Sequence, residues 1–391
     1  MRIFRLFVVL VLLLGVSSAQ SPTPTPADEP KLKRRPSPDQ TQQASPSPTP
    51  TASPSSSQSP SAPSPGASPP PSPTPEAGSG QPGAPVAYPK PEYPDLLQRF
   101  NYDSRSGLEL RETNVEKRGP VRLIELNYAG DGGDRVPAWL LIPPGNGPFP
   151  AVIWGHWLMK GSPLNNKDEF LEEALVLARA GVVSVLIDTP QARHGYTEAT
   201  DLMEYVKQQS EAAAHQVIDL RRAVDLLLLR HDVDRHRIAY VGHSWSAHVG
   251  AILAGVDTRV CCYVLMASGY SDEEETFTSK DPAIVRYRQQ LGDDTLREYF
   301  HDYAYDDPVY YLGHTSNESI FLQFGSGDQT TKAMGQKYLD LFSAKDKQMQ
   351  FYEAGHALNA AARLDRVRWL QKKPGVKKVD EGEVGAVPQV K

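Results

Sequence analysis

Near-continuous apolar runs of strand length, separated by amphipathic stretches of helix length, recur along the chain after residue 88. The run VVSVLI at 182–187 shows the type. A strand with one wet face alternates apolar and polar residues, so a continuous run must be buried on both faces. The pattern predicts an α/β fold: a mainly parallel sheet of eight strands with helices on both faces. The strands are predicted at 121–128, 136–142, 151–154, 182–187, 238–241, 260–266, 320–324 and 348–352. Helices are predicted at 167–180, within 199–230, and at 246–254, 331–344 and 357–371. The short connection AGDGGD between the first two strands suits an antiparallel hairpin. Residues 268–314, rich in Asp, Glu and Tyr, interrupt the alternation. They are too many for a plain loop and predict a small cap over the carboxyl edge of the sheet. Its tyrosines, including Tyr299, Tyr303, Tyr305, Tyr310 and Tyr311, either line a pocket or pack the cap onto the sheet.

Composition confines this pattern to part of the 391 residues. Residues 20–87 are dominated by Pro, Ser and Thr and have almost no apolar side chains. Such a segment cannot bury enough surface to offset its ordering entropy, so it reads as a disordered linker. In polyproline II form it would reach on the order of 200 Å, enough to hold a domain off a wall or surface. Before it, Arg2 and Arg5 precede the apolar run Leu6 to Val16, and Ser17-Ser18-Ala19 follows. That is the layout of a signal peptide cleaved after Ala19. The run is short for a bilayer span, which leaves an uncleaved anchor as the alternative. The expected organisation is therefore a signal peptide at 1–19, a linker at 20–87, a folded α/β domain at 88–375 and a C-terminal tail at 376–391. The protein is expected to be exported to a periplasmic, cell-surface or extracellular location, with no membrane span once the signal is removed.

The net charge is -6, and removing the 6 basic and 4 acidic residues of 1–87 from totals of 41 and 47 leaves -8 for the rest. A modestly acidic domain has no electrostatic footprint for nucleic acid. The two cysteines, Cys261 and Cys262, are adjacent within an apolar run. Neighbouring side chains on a strand point to opposite faces, so both read as small buried hydrophobes rather than a disulfide.

The chemistry concentrates in RIAYVGHSWSAHVGAILAG, where an apolar strand runs through Gly242-His243-Ser244-Trp245-Ser246 into a helix. This segment resembles the nucleophile elbow, G-x-S-x-G, of the α/β-hydrolase superfamily. Small residues flank the nucleophile because strand and helix approach closely there. Gly242 meets that need, and Ser246 departs from it while remaining small. The resemblance implies that Ser244 is the nucleophile and that the Trp245 backbone N–H faces the oxyanion. It also implies partners in the order Ser, Asp, His. Asp328 follows the strand SIFLQF, and His356 follows QMQFYEA. His356 would be the general base and Asp328 its orienting acid, with Glu353 and Asp272 as rival acids.

PAVIWGHWLMKGSP resembles the family's His-Gly loop, with Trp157 where glycine is usual. By that match the second oxyanion donor is the Leu158 N–H, with Trp157 second, and His156 orients the loop. His156, Trp157, Arg193 and His194 are the candidate substrate contacts, although Arg193 and His194 could equally be solvated. His243 is expected to face away from the nucleophile, and His248 to stand behind the site. No H-E-x-x-H or cysteine–histidine pattern marks a metal site, and Gly325-Ser326-Gly327 is too short for a dinucleotide loop.

The resemblance spans about residues 95–372 and looks nearest to the dienelactone-hydrolase-like and acetyl-esterase-like branch, on DVDRHRIAYVGHS and FYEAGHALNAAARLDRVRWL. It implies a serine hydrolase acting on a small-molecule or polymer-borne carboxylic ester, without a cofactor. The rivals are a peptidase or amidase of the prolyl-oligopeptidase type on the same residues, and an inactive binding module on a Pro-rich stalk.

Overall fold

A computed structural model of the protein describes residues 88–315 and 319–388. The expected signal peptide and linker lie outside the described residues. Helix α1 (Tyr93–Gln98) leads to strands β1 (Arg111–Arg118), β2 (Val121–Ala129) and β3 (Arg135–Ile142). Then follow β4 (Phe149–Gly155), α2 (Leu171–Arg179), β5 (Val183–Ile187) and α3 (Leu202–Leu228). Strand β6 (Val233–His243) runs into α4 (Trp245–Val256), and β7 (Cys262–Met266) comes next. Helices α5 (Asp272–Thr278), α6 (Pro282–Leu291) and α7 (Asp293–Asp302) form the insertion. The chain continues through β8 (Ser319–Gly325), α8 (Lys332–Leu341), β9 (Asp346–Tyr352), α9 (Ala360–Lys372) and α10 (Glu381–Ala386).

The sheet order is β1-β2-β3-β5-β4-β6-β7-β8-β9. Strands β1 to β3 pair antiparallel, β3 meets β5 antiparallel, and every pairing from β5 through β4 to β9 is parallel. All eight expected strands are present, but the sheet has nine. The additional strand is β1, RETNVEKR, an almost wholly exposed edge. It buries neither face, so it has no apolar periodicity to reveal it.

The central strands sort their side chains by alternation. Ala151, Ile153, Ile238 and Tyr240 face the cluster that packs on α3 and α4. Val152, Trp154, Ala239 and Val241 face the cluster that packs on α2 and α9. Helix α3 is one unbroken helix of 27 residues, started by the Asp201 carboxylate, which accepts from the Met203 and Glu204 N–H groups.

The insertion is helical. Tyr287, Leu296 and Tyr299 pack with Val206 of α3, and Tyr299 shares a 2.6 Å hydrogen bond with the Ser210 hydroxyl. Tyr311 is fully buried against Gly255 of α4, where an added Cβ would come 2.5 Å from the Tyr311 carbonyl oxygen. These tyrosines pack the insertion down.

Two expectations need correction. Residues 376–388 are no loose tail: Val376, Val379 and Val384 are buried in the α2–α9 cluster. The Arg363 guanidinium donates to the carbonyls of Val384, Val387 and Pro388, which ties the segment to α9. Cys261 and Cys262 are joined as a disulfide. Cys261 precedes β7, so the strand alternation that would part the two side chains does not reach it.

Candidate active site

Ser244 stands between β6 and α4 with φ 54° and ψ −112°, a region that non-glycine residues rarely occupy. The neighbours over-determine this conformation. The Ser244 N–H donates to the Met266 carbonyl at 2.8 Å. At Gly242 an added Cβ would lie 2.5 Å from the Ser246 carbonyl oxygen, so only glycine fits. The Ser246 side chain, found where the family pattern has glycine, is accommodated by a glycine on the next strand. A Cβ on Gly155 would come 2.5 Å from the Ser246 Cβ. The Ser246 hydroxyl is then put to use: it donates to the His156 carbonyl at 2.6 Å and accepts from Gln216 Nε2 at 3.0 Å.

His356 Nε2 lies 2.7 Å from Ser244 Oγ, and His356 Nδ1 lies 3.0 Å from Asp328 Oδ2. Three residues from the ends of three strands thus form one hydrogen-bonded line. The loops that carry Asp328 and His356 are joined by backbone bonds, Ser326 N–H to the Tyr352 carbonyl (2.8 Å) and Gly327 N–H to the Ala354 carbonyl (2.9 Å). The rival acids are elsewhere. Glu353 is exposed, and the Asp272 carboxylate lies 3.9 Å from His248.

The loop after β4 is held from both sides. The Trp157 N–H donates to Glu169 Oε2 at 2.6 Å, so this group is engaged and cannot serve as an oxyanion donor. The Leu158 N–H, one residue on, has no acceptor among the described residues. The Trp245 N–H opens the first turn of α4, where no helical carbonyl is available to it.

His156 is buried, shares Nδ1 with the Trp157 carbonyl at 2.6 Å, and accepts the Thr189 N–H on Nε2 at 3.0 Å. Burial lowers its pKa to about 4, so it is neutral at pH 7, consistent with that tautomer. It joins two loops, and both its side chain and that of Trp157 are buried. Arg193 turns inward, paired with the buried Asp219 carboxylate and donating to the Asp188 carbonyl. His194 is exposed. Sequence reasoning gave no role to three residues that hold the site together: Gln216, Glu169 and His243. Glu169 lies just before a helix with Glu172 and Glu173, so it looks like an ordinary first-turn carboxylate. His243 is not turned away from the site. Its ring packs against both Trp157 (centroids 4.9 Å apart) and His356 (5.3 Å).

His248 of α4 ties the insertion to the helix that follows Ser244. Its Nε2 donates to the Asp306 carbonyl at 2.8 Å, and the carboxylates of Asp306 and Asp272 lie 3.2 and 3.9 Å from its ring nitrogens. These groups lie within 4.8 Å of one another, the spacing of a cation site. The imidazole already supplies the positive charge, so they read as an ion-pair cluster. Burial alone would lower the His248 pKa, but Asp272 and Asp306, with Asp307 behind them, outweigh it and lift it to about 9. The raised value means a stabilisation complete below pH 6.5 and lost as pH rises through about 9. From pH 6.5 to above 9 we expect the thermal midpoint to fall by on the order of 5 °C. A His248→Asn variant should lose that part of the slope in scanning fluorimetry, and an unchanged slope would refute the assignment.

Among the described residues no helix is long and apolar enough to cross a membrane. No protein-family model matches the sequence, and no curated protein matches it. Solved structures do. An acetyl xylan esterase from a Paenibacillus species superposes with a TM-score of 0.56 at 16% identity, covering 72% of this chain and 92% of that one. Acetyl xylan esterase 1 from a Thermoanaerobacterium species gives 0.56 at 16% identity, covering 71% and 91%. At that identity the likeness is one of fold. The protein has the α/β-hydrolase fold, a mostly parallel nine-stranded sheet with helices on both faces.

Proposed function

We propose that this α/β-hydrolase-fold protein is an exported serine hydrolase of carboxylic esters. The observation that carries the reading is the line from Asp328 through His356 to Ser244, with spacings of 3.0 and 2.7 Å. His356 Nε2 takes the Ser244 proton as Oγ attacks the ester carbonyl. The N–H groups of Trp245 and Leu158 receive the oxyanion. His356 then protonates the departing alcohol, and water, activated by the same imidazole, releases the acid from the acyl-enzyme. Asp328 accepts from Nδ1, keeps Nε2 facing Ser244 and stabilises the imidazolium. Export through residues 1–19 and spacing by residues 20–87 belong to the same proposal.

The test is a substrate panel with the purified protein. Acetyl esters come first, because the two structures described above are named for acetyl ester cleavage. Longer acyl esters and peptide anilides follow. We expect acetyl ester turnover at kcat/KM at least about a hundredfold above the anilides, since an amide leaving group is poorer and needs an added binding site. Faster anilide cleavage would move the assignment to a peptidase. No turnover of any substrate by folded protein would leave a binding module.

A further inference from the structure

Behind His356 lies a second carboxylate–imidazole pair that the proposed reaction does not use. Glu169 Oε1 lies 2.5 Å from His243 Nδ1, and His243 Nε2 lies 2.9 Å from the carbonyl oxygen of His356. The other Glu169 oxygen accepts the Trp157 N–H. The two side chains are 1% and 3% exposed. A carbonyl oxygen only accepts, so His243 Nε2 carries a proton. The short contact between Nδ1 and a carboxyl oxygen needs another. The pair therefore holds two protons and no net charge, whether as imidazolium with carboxylate or imidazole with carboxylic acid. That neutrality suits two side chains buried this deeply.

We infer that Glu169 and His243 are positioning residues, a buried clamp that sets the His356 backbone and the Trp157–Leu158 loop at a fixed separation. The inference rests on the hydrolase reading above. The base follows β9, the oxyanion loop follows β4 and the nucleophile follows β6, so no covalent neighbour fixes their spacing. One carboxyl group reaches two of these loops, directly at Trp157 N–H and through His243 at the His356 carbonyl. The rings of Trp157, His243 and His356 also pack against one another, with centroids 4.9, 5.3 and 6.4 Å apart. Catalytic groups must be held to within about 0.5 Å, and a displacement of about 1 Å costs on the order of a hundredfold in rate.

The test uses the full chain with Glu169→Gln, Glu169→Leu and His243→Phe. In Glu169→Gln the amide oxygen still accepts from Trp157 and the amide N–H donates to Nδ1 of neutral His243, which keeps its Nε2–H. This variant should stay within about threefold of wild-type kcat. Glu169→Leu strands the Trp157 N–H, and His243→Phe keeps the ring stack but loses the bond to His356. Both should lose about 10- to 100-fold in kcat on an acetyl ester, with KM changed by less than about threefold. Labelling of Ser244 by a fluorophosphonate should slow in parallel.

The inference is overturned if folded Glu169→Leu or His243→Phe keeps kcat within about twofold, or if Glu169→Gln falls as far as Glu169→Leu. Should Glu169→Leu not fold, His243→Phe and Glu169→Gln decide. Nitrogen–proton correlation spectra of His243 give a readout independent of turnover. Wild type should show a protonated Nε2 and a strongly downfield N–H that Glu169→Gln removes, and an unprotonated Nε2 would overturn the clamp. A wild type that turns over no ester refutes the proposed function alone, and the His243 spectrum then decides the clamp by itself.

Discussion

Ser244→Ala is expected to abolish fluorophosphonate labelling and to lower kcat for ester hydrolysis by on the order of 10⁴- to 10⁶-fold. The size follows from losing the nucleophile: what remains is the oxyanion site and substrate binding acting on water. The fold should survive. Alanine adopts the φ of 54° at this position no less readily than serine does. The side-chain bond lost is the one to His356 Nε2, and the backbone bond from residue 244 to the Met266 carbonyl is kept. Labelling of wild type mapped by mass to the peptide holding Ser244, with none in the variant, is the result to look for. Equal labelling of the variant, or mapping to another serine, would remove Ser244 from the mechanism.

Asp328→Asn is expected to cost on the order of 10⁴-fold in kcat with KM little changed. The Asp328 carboxylate accepts from His356 Nδ1 through Oδ2, while Oδ1 accepts the Gln329 N–H at 2.8 Å, so the side chain's orientation is pinned. An asparagine pinned in the same way turns its NH₂ toward Nδ1. That favours the tautomer with the proton on Nε2, which cannot take the Ser244 proton. The controls are Glu353→Gln and Asp272→Asn, at the two rival acids. Glu353 is exposed, and Asp272 lies beside His248, so each should stay within about threefold of wild type. A loss at Glu353 as large as at Asp328 would reassign the acid.

What the sequence alone determined was set by local chemistry and by order along the chain. The near-continuous apolar runs read as buried strands, as Val183–Ile187 and Cys262–Met266 are, and all eight expected strands lie in the sheet. The Gly242–Ser246 segment could be read because a tight strand-to-helix turn excludes side chains at set positions. Asp328 and His356 come to the same edge as Ser244 because each follows a strand of the parallel sheet. What tertiary structure decided involves groups whose roles come from partners far away in sequence. Strand β1 is polar and exposed and exists through its pairing with β2. Ser246 is tolerated because Gly155, on another strand, leaves it room. Glu169 meets His243 across 74 residues and His243 meets His356 across 113, contacts that no local pattern encodes. Periodicity and turn chemistry report which surfaces must be buried. Which buried polar group satisfies which other is settled only when the strands are in register and the loops have met.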